Sequence, residues 1–110
     1  MLDWSHVTMR ITILGDFIKE LRHAKLAEDA EPLTVTGLVD AMERALERTK
    51  WNLRRDRPAR ALDWFLDVEM LMYNFEESYP KFNELEKLVY EFQRCISNGQ
   101  YVTFSNIGEH

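Results

Sequence analysis

The chain has 110 residues, of which 45% are apolar and 30% are charged, and its formal net charge is −5. These values are typical of one globular domain, so we treat residues 1–110 as a single helical domain and exclude a disordered chain. An acidic chain does not attract nucleic acid or an anionic membrane through its average field. No apolar run reaches the roughly 20 residues that a membrane-spanning helix needs. The first ten residues lack the basic start and apolar core of a signal peptide, so we expect a cytoplasmic protein.

The first predicted helix covers roughly residues 7–27. Its apolar side chains recur at steps of three and four, the spacing of one helical face: Val7, Ile11, Leu14, Ile18 and Leu21. Residues 7–13 also allow a second interpretation, because they alternate, are rich in β-branched side chains and precede Gly15. A short strand that leads into a helix at Asp16 therefore stays open as an alternative.

Turn-forming residues divide the rest of the chain into three further helices. Helix two is predicted from Thr34 or Thr36, either of which is a good cap, to about residue 55. Asp56 is expected to cap helix three and Pro58 to occupy its first turn, so that this helix covers about residues 58–78. Helix four follows Pro80, covers about residues 81–97 and ends at the left-handed stop Asn98-Gly99.

Short connections between long helices favour antiparallel neighbours. The predicted fold is therefore all-α, a bundle of three or four helices. Residues 101–104 alternate like a short strand, so short extended segments at the N- and C-termini remain part of this prediction.

Helix two carries its cations opposite its apolar face. At about 100° per residue, the apolar side chains gather on one broad side: Val35, Leu38, Val39, Met42, Ala45, Leu46 and Leu53, joined by Thr49. Arg44, Arg48, Trp51 and Arg55 fall within roughly 60° of one another on the other side. Tryptophan and arginine are the residues most enriched in interface hot spots. We therefore predict that these four residues bind a partner.

Positive and negative charge are segregated along the chain. Residues 44–60 hold seven basic and two acidic side chains, a net charge of +5, whereas residues 61–93 have a net charge of −6. One interpretation is that the arginines pair with carboxylates of helix three, while Trp51 is covered by helix one or the C-terminal arm. The other is that they form a docking site for an anionic partner.

Helix three offers a second candidate surface and a route to self-association. Asp63, Asp67 and Glu77 form an acidic stripe that suits a basic partner such as a nuclease toxin. The rest of the helix is apolar around most of its circumference, with Met70 and Met72 beside Trp64. Such a helix is central in a bundle or buried between subunits, so a homodimer is plausible.

Motifs for catalysis and cofactors are missing from the sequence. Glu20 and His23 have a metal-ligand spacing, but a di-iron bundle needs two such pairs and further glutamates. Cys95 is the only cysteine and lies in an apolar helical pattern, which is typical of a buried small side chain. No nucleophile–base spacing or glycine-rich phosphate loop is present. We expect no catalytic residue, no metal site, no cofactor and no enzymatic activity.

These observations favour a non-catalytic protein-binding module, of the inhibitor, immunity-protein, antitoxin or adaptor kind. Its partner would be another protein, such as a toxin or an enzyme that it inhibits. We expect no association with a membrane. A nucleic-acid-binding regulator that uses residues 44–60 is the first alternative, although the acidic neighbouring segment makes nucleic acid a poorer partner. A structural homodimer built on residues 58–78 is the second.

Overall fold

The structure, a computed structural model, describes residues 4–23 and 32–98. Most of these residues belong to four α-helices, and no strand occurs among them. The chain is therefore an all-α helical bundle, as the sequence predicted. The helices are α1 Trp4–Glu20, α2 Pro32–Arg54, α3 Pro58–Met72 and α4 Phe82–Ser97.

Helices α1 and α2 run antiparallel. Arg22, in the 3₁₀ turn Leu21–His23 that extends α1, donates a 2.7 Å hydrogen bond to Asp40 near the start of α2. At the other end of the pair, Trp4 lies beneath the guanidinium group of Arg54. The first residue of α1 therefore faces the last residue of α2.

Helix α4 closes the bundle against α3 and α1. The rings of Phe65 and Phe92 lie 5.0 Å apart and join the middle of α3 to α4. Tyr79, which precedes α4, donates a hydrogen bond to Glu20 at the end of α1. Each helix is thus antiparallel to its neighbours, in the up-down-up-down order that short connections favour.

Each helix contributes one apolar stripe to a single continuous core. Phe65, Phe75 and Phe92 are its largest fully buried side chains. Burying a side chain of this size contributes about 1.5–3 kcal/mol to the free energy of folding. The other stripes come from α1 (Val7, Ile11, Leu14, Ile18) and from α2, whose predicted core face is buried except for half-buried Leu38.

Residues 7–13 are helical, and the alternative of a strand before Asp16 is wrong. Val7, Ile11 and Leu14 are all buried, on one face of α1. A strand would place successive side chains on opposite faces and so separate Val7 from Leu14. Burial of the helical stripe outweighs the β propensity of the intervening residues. Gly15 is accommodated within the helix.

Asp56 does not cap α3 but ends α2. Its φ angle of 60° is left-handed, while Arg57 occupies the N-cap position without a side-chain capping bond. The amide of Arg57 donates to the carbonyl of Asn52, and the amide of Asp56 donates to the carbonyl of Leu53. This pair of bonds is the Schellman motif, in which the left-handed residue follows the helix. Pro58 begins α3, as predicted.

Helix α3 ends earlier than the predicted residue 78. After Met72 the chain tightens into the 3₁₀ turn Tyr73–Phe75, and the Asn74 side-chain amide donates a 3.0 Å hydrogen bond to the carbonyl of Leu71. The tighter turn brings Phe75 into the core, where it is fully buried.

The remaining boundaries differ from the predictions in detail. Thr34 and Thr36 lie inside α2, which starts at Pro32, so neither caps it. Asn98 follows α4 with a φ angle of −85°, which is not left-handed. Gly99, the tail at 101–104 and the predicted end of helix one at 24–27 lie outside the described residues.

Candidate functional site

The outer face of α2 carries the four basic and aromatic residues that the sequence singled out. Arg44, Arg48, Trp51 and Arg55 are all exposed, and the Trp51 side chain is 41% accessible to solvent. They face outward because the opposite side of α2 supplies buried residues such as Val39, Met42 and Leu53 to the core. We call these four residues the basic–aromatic surface.

Trp51 is held in place by neighbours on its own helix. Its indole N–H donates a 2.8 Å hydrogen bond to a carboxylate oxygen of Glu47. The Arg54 guanidinium carbon lies 5.4 Å from the centre of the indole, and the Lys50 ammonium nitrogen lies 5.8 Å from it. Each cation–π contact at an exposed site contributes about 0.5–1 kcal/mol. Trp51 is thus oriented but still exposed, rather than covered by helix one.

Sequence reasoning missed Lys50, Arg54 and Glu47 as parts of this surface. The spacing contained the signal, since Glu47 and Arg54 lie four residues before and three after Trp51, and such positions are neighbours on a helix. Arg54 also lies 5.9 Å from the ring of Trp4, which links the surface to the start of α1. That second contact depends on how α1 packs against α2.

Arg48 leans towards α3, where its guanidinium carbon lies 4.7 Å from the ring centre of Trp64. The sequence pattern groups Trp64 with the apolar residues of helix three and does not predict this contact with Arg48. The Trp64 side chain is half-buried, so Arg48 covers an indole face that water would otherwise reach.

The interpretation that the arginines of α2 pair with carboxylates of α3 is wrong for the described part of the chain. The ion pairs found among residues 4–23 and 32–98 join Arg22 to Asp40 and Glu43, and Lys81 to Glu20. All of them lie at the other end of the bundle from Arg55. Within the described ranges, Arg48 contacts the ring of Trp64, and neither Arg44 nor Arg55 forms an ion pair.

A groove between α2 and α3 brings two predicted site residues together. Arg44 lines it from α2, and Asp67 lines it from α3. Trp64 and Met70 form its apolar wall, and its volume is about 300 Å³. The basic–aromatic surface therefore continues into a groove whose two sides carry opposite charges.

The three predicted acidic residues do not form one stripe. Asp63 is exposed and Asp67 is half-buried, both on the helical part of α3. Glu77 lies beyond the 3₁₀ turn Tyr73–Phe75, so it does not share a helical face with them. Only Asp67 lines the groove with Arg44.

A separate polar cluster lies between α3 and α4. The Tyr73 hydroxyl donates a 2.8 Å hydrogen bond to Glu86 and lies 2.8 Å from the Tyr90 hydroxyl, which therefore donates the second bond. The bond to Tyr90 and burial raise the pKa of Tyr73. Burial and, after it, the negative charge of Glu86 raise the pKa of Glu69, whose Oε2 atom is buried without a hydrogen-bond partner.

Among the described residues, no group of three or more histidine, cysteine or acidic side chains has the arrangement of a metal site. Glu20 accepts a hydrogen bond from Tyr79 and lies 3.9 Å from the Lys81 ammonium group, so it takes part in bundle contacts. Cys95 is half-buried on α4. Within the described ranges, no helix combines the length and apolar character that crossing a membrane requires.

No protein-family model, no curated protein and no solved structure matches this chain. Function is therefore inferred from the side chains of the basic–aromatic surface.

Proposed function

We propose that this chain is a non-catalytic protein-binding module of the cytoplasm, of the inhibitor, immunity-protein, antitoxin or adaptor kind. It binds an acidic region of a partner protein, such as a toxin or an enzyme that it inhibits, through the basic–aromatic surface. The observation that carries the proposal is the placement of Trp51. Its ring is 41% exposed, yet it is oriented by Glu47 and flanked by the cations Lys50 and Arg54.

An oriented, exposed tryptophan favours binding for an energetic reason. Ordering a side chain costs conformational entropy when a complex forms, and a ring that is already held loses less of it. The indole also offers a large apolar area that water leaves on binding. Tryptophan and arginine, with tyrosine, are enriched among the residues whose truncation strongly weakens protein complexes.

The charge of the surface favours an acidic partner. Residues 44–60 have a net charge of +5, and within the described residues Arg44 and Arg55 form no ion pair with a carboxylate. Complementary charge raises the association rate and excludes partners of like charge. Nucleic acid is the poorer candidate because its negative charge is continuous and would also meet Asp67 across from Arg44, whereas a protein can present carboxylates to the arginines alone.

The test begins with cross-linking in cells. A photoreactive amino acid replaces Trp51 in one version of the full chain and Lys87, an exposed residue of α4, in a control. We expect a protein that cross-links at position 51 and not at position 87. Affinity is then measured between that purified protein and the unmodified chain, the Trp51→Ala variant and the Arg44→Glu/Arg55→Glu variant.

Each variant is expected to weaken binding by about tenfold or more, since one buried hot-spot contact contributes that much. Lys87→Glu is the matched control for charge reversal and leaves the affinity unchanged. The proposal is overturned if no protein cross-links specifically at position 51. It is also overturned if Trp51→Ala and Arg44→Glu/Arg55→Glu both leave the affinity unchanged. Circular dichroism checks that all variants remain helical.

The same chain and its variants also test the two alternatives, a nucleic-acid-binding regulator and a structural homodimer. Salt-dependent binding of mixed oligonucleotides, lost in the Arg44→Glu/Arg55→Glu variant, supports a nucleic-acid-binding regulator instead. Light scattering that shows a stable dimer, lost on Met70→Ala, supports a structural homodimer built on α3. Met70 is the side chain that favours this second alternative, because it is 67% exposed.

A further inference from the structure

The groove between α2 and α3 forms because short side chains on one helix lie opposite long side chains on the other. Ala41 and Ala45 lie one turn apart on α2 and form one side with Arg44. Trp64 and Met70 rise opposite them on α3. Because alanine side chains are short and their neighbours across the groove are long, about 300 Å³ is left open between the helices.

The apolar wall of the groove includes an exposed methionine. Met70 is 67% accessible, the most exposed large apolar side chain of the described residues. A thioether side chain with three rotatable bonds adapts its shape to different apolar partners. The groove is larger than the roughly 150 Å³ cavity that holds a benzene ring, so it has room for a large apolar side chain such as leucine or phenylalanine.

The edges of the groove select a charged ligand. Arg44 lies on the α2 side and Asp67 on the α3 side, and within the described residues neither forms an ion pair. Arg48, one turn from Arg44, is fixed against Trp64 by its cation–π contact. A complementary ligand therefore carries an acidic group towards α2 and a basic group towards α3, on either side of its apolar side chain.

These features point to a helical ligand. Apolar anchors flanked by charges on one face are the signature of an amphipathic helix that binds in a groove. A peptide that binds by strand addition needs a sheet edge, and the described residues form no sheet. Asp67 also disfavours a polyphosphate backbone in the same position.

We propose that the groove receives an amphipathic helix of the partner protein. One large apolar side chain of that helix inserts between Met70 and the alanines, its acidic side chain pairs with Arg44, and its basic side chain pairs with Asp67. This inference rests on the proposed function and deepens it, since it names the element of the partner that is recognised. The basic–aromatic surface around Trp51 then contacts an acidic region beside that helix.

The test places the photoreactive amino acid at Met70, at Trp51 and, as a control, at Met9, which is 53% exposed on α1. We expect positions 70 and 51 to cross-link the same protein and position 9 not to. Mass spectrometry then locates the partner residue that reacts with position 70. It should lie in a helix that has an apolar residue with an acidic and a basic residue within one turn.

Affinity measurements with the purified partner complete the test. Met70→Ala and Asp67→Lys are expected to weaken binding by about tenfold each, while Met9→Ala has no effect. Ala41→Leu fills the groove and is expected to weaken binding as well. A synthetic peptide of the cross-linked partner helix should bind the chain and bind the Asp67→Lys variant more weakly. Replacing the basic residue of the peptide by an acidic one should restore its binding to that variant.

The outcomes separate the two proposals. If position 51 cross-links a protein and Trp51→Ala weakens its binding, but position 70 does not react and Met70→Ala has no effect, the groove inference is overturned and the proposed function stands. If neither position reacts, both are overturned. A cross-link from position 70 to a second copy of this chain, or to RNA, also overturns the inference.

Discussion

Arg48 and Trp64 join α2 to α3 through a cation–π contact of 4.7 Å, about one helical turn before the exposed Trp51 of α2. The contact belongs to the fold, since both partners lie in one chain, yet it also shapes the surface that we propose binds a protein. Arg48 therefore has a structural role that Arg44 and Arg55 lack. Experiments on this surface must separate the two roles, which is why the binding tests reverse Arg44 and Arg55 rather than Arg48.

The first prediction measures that structural role. Arg48→Gln and Trp64→Leu, alone and together, form a double-mutant cycle in urea unfolding. We expect a coupling free energy of about 0.5–1 kcal/mol, the usual size of a cation–π contact at a partly exposed site. Arg55→Gln with Trp64→Leu is the matched control and should show no coupling. Additive effects of Arg48→Gln and Trp64→Leu would contradict the contact.

The second prediction concerns the pH dependence that Glu69 imposes. Burial and the nearby Glu86 raise the pKa of Glu69 in the folded state. The unfolded chain therefore ionises first, so the protein loses stability as the pH rises from the ordinary glutamate pKa of 4.5 through the folded value. Glu69→Gln removes this loss, and we expect the variant to be more stable than the natural chain at pH 7.

The same comparison at low pH supplies the check for Glu69. Below pH 4.5 the carboxyl group is protonated in both states, so the advantage of the Glu69→Gln variant should shrink. Urea unfolding at several pH values measures the difference, with Glu84→Gln, at an exposed position of α4, as the control. A carbon-detected NMR titration of Glu69 reports its pKa directly, and a value at or below 4.5 would contradict the prediction.

The third prediction tests the left-handed residue between α2 and α3. Asp56 has a φ angle of 60°. This left-handed conformation costs energy for any residue with a Cβ atom, whereas glycine adopts it freely. We expect Asp56→Gly to raise the free energy of unfolding by about 0.5–1 kcal/mol. Asp56→Val should lower it, because a β-branched side chain is strained there. If glycine destabilises the protein, the Asp56 carboxylate rather than the backbone angle matters at this turn.

The fourth prediction concerns the joint between α3 and α4. Phe65 is fully buried, and its ring centre lies 5.0 Å from that of Phe92. Phe65→Ala should cost about 3–5 kcal/mol, a large share of the stability of a domain of this size. Leu66→Ala, at a neighbouring residue that is 39% exposed, should cost less than about 1 kcal/mol. Should Phe65→Ala fail to fold, Phe65→Leu gives the same comparison with a smaller loss.

The sequence predicted correctly what depends on position around one helix axis. Residues of α2 such as Met42 and Leu53 are buried, and Trp51 and Arg44 are exposed, because each residue advances the helix by about 100° whatever its neighbours are. The approximate sites of the breaks between helices followed from the same periodicity and from Pro58 and Pro80, while the prediction left the number of helices at three or four. The binding role of the surface remains a prediction.

Tertiary structure alone decided how one helix is placed against another. The contact of Arg48 with Trp64 and the position of Arg44 across from Asp67 depend on the register between α2 and α3, which the side chains of both helices set together. The helical state of residues 7–13 was also decided there, since burial of Val7, Ile11 and Leu14 against the bundle outweighed a local preference for strand. Local sequence determines which side of a helix is apolar, whereas the groove between two helices exists only once they are packed.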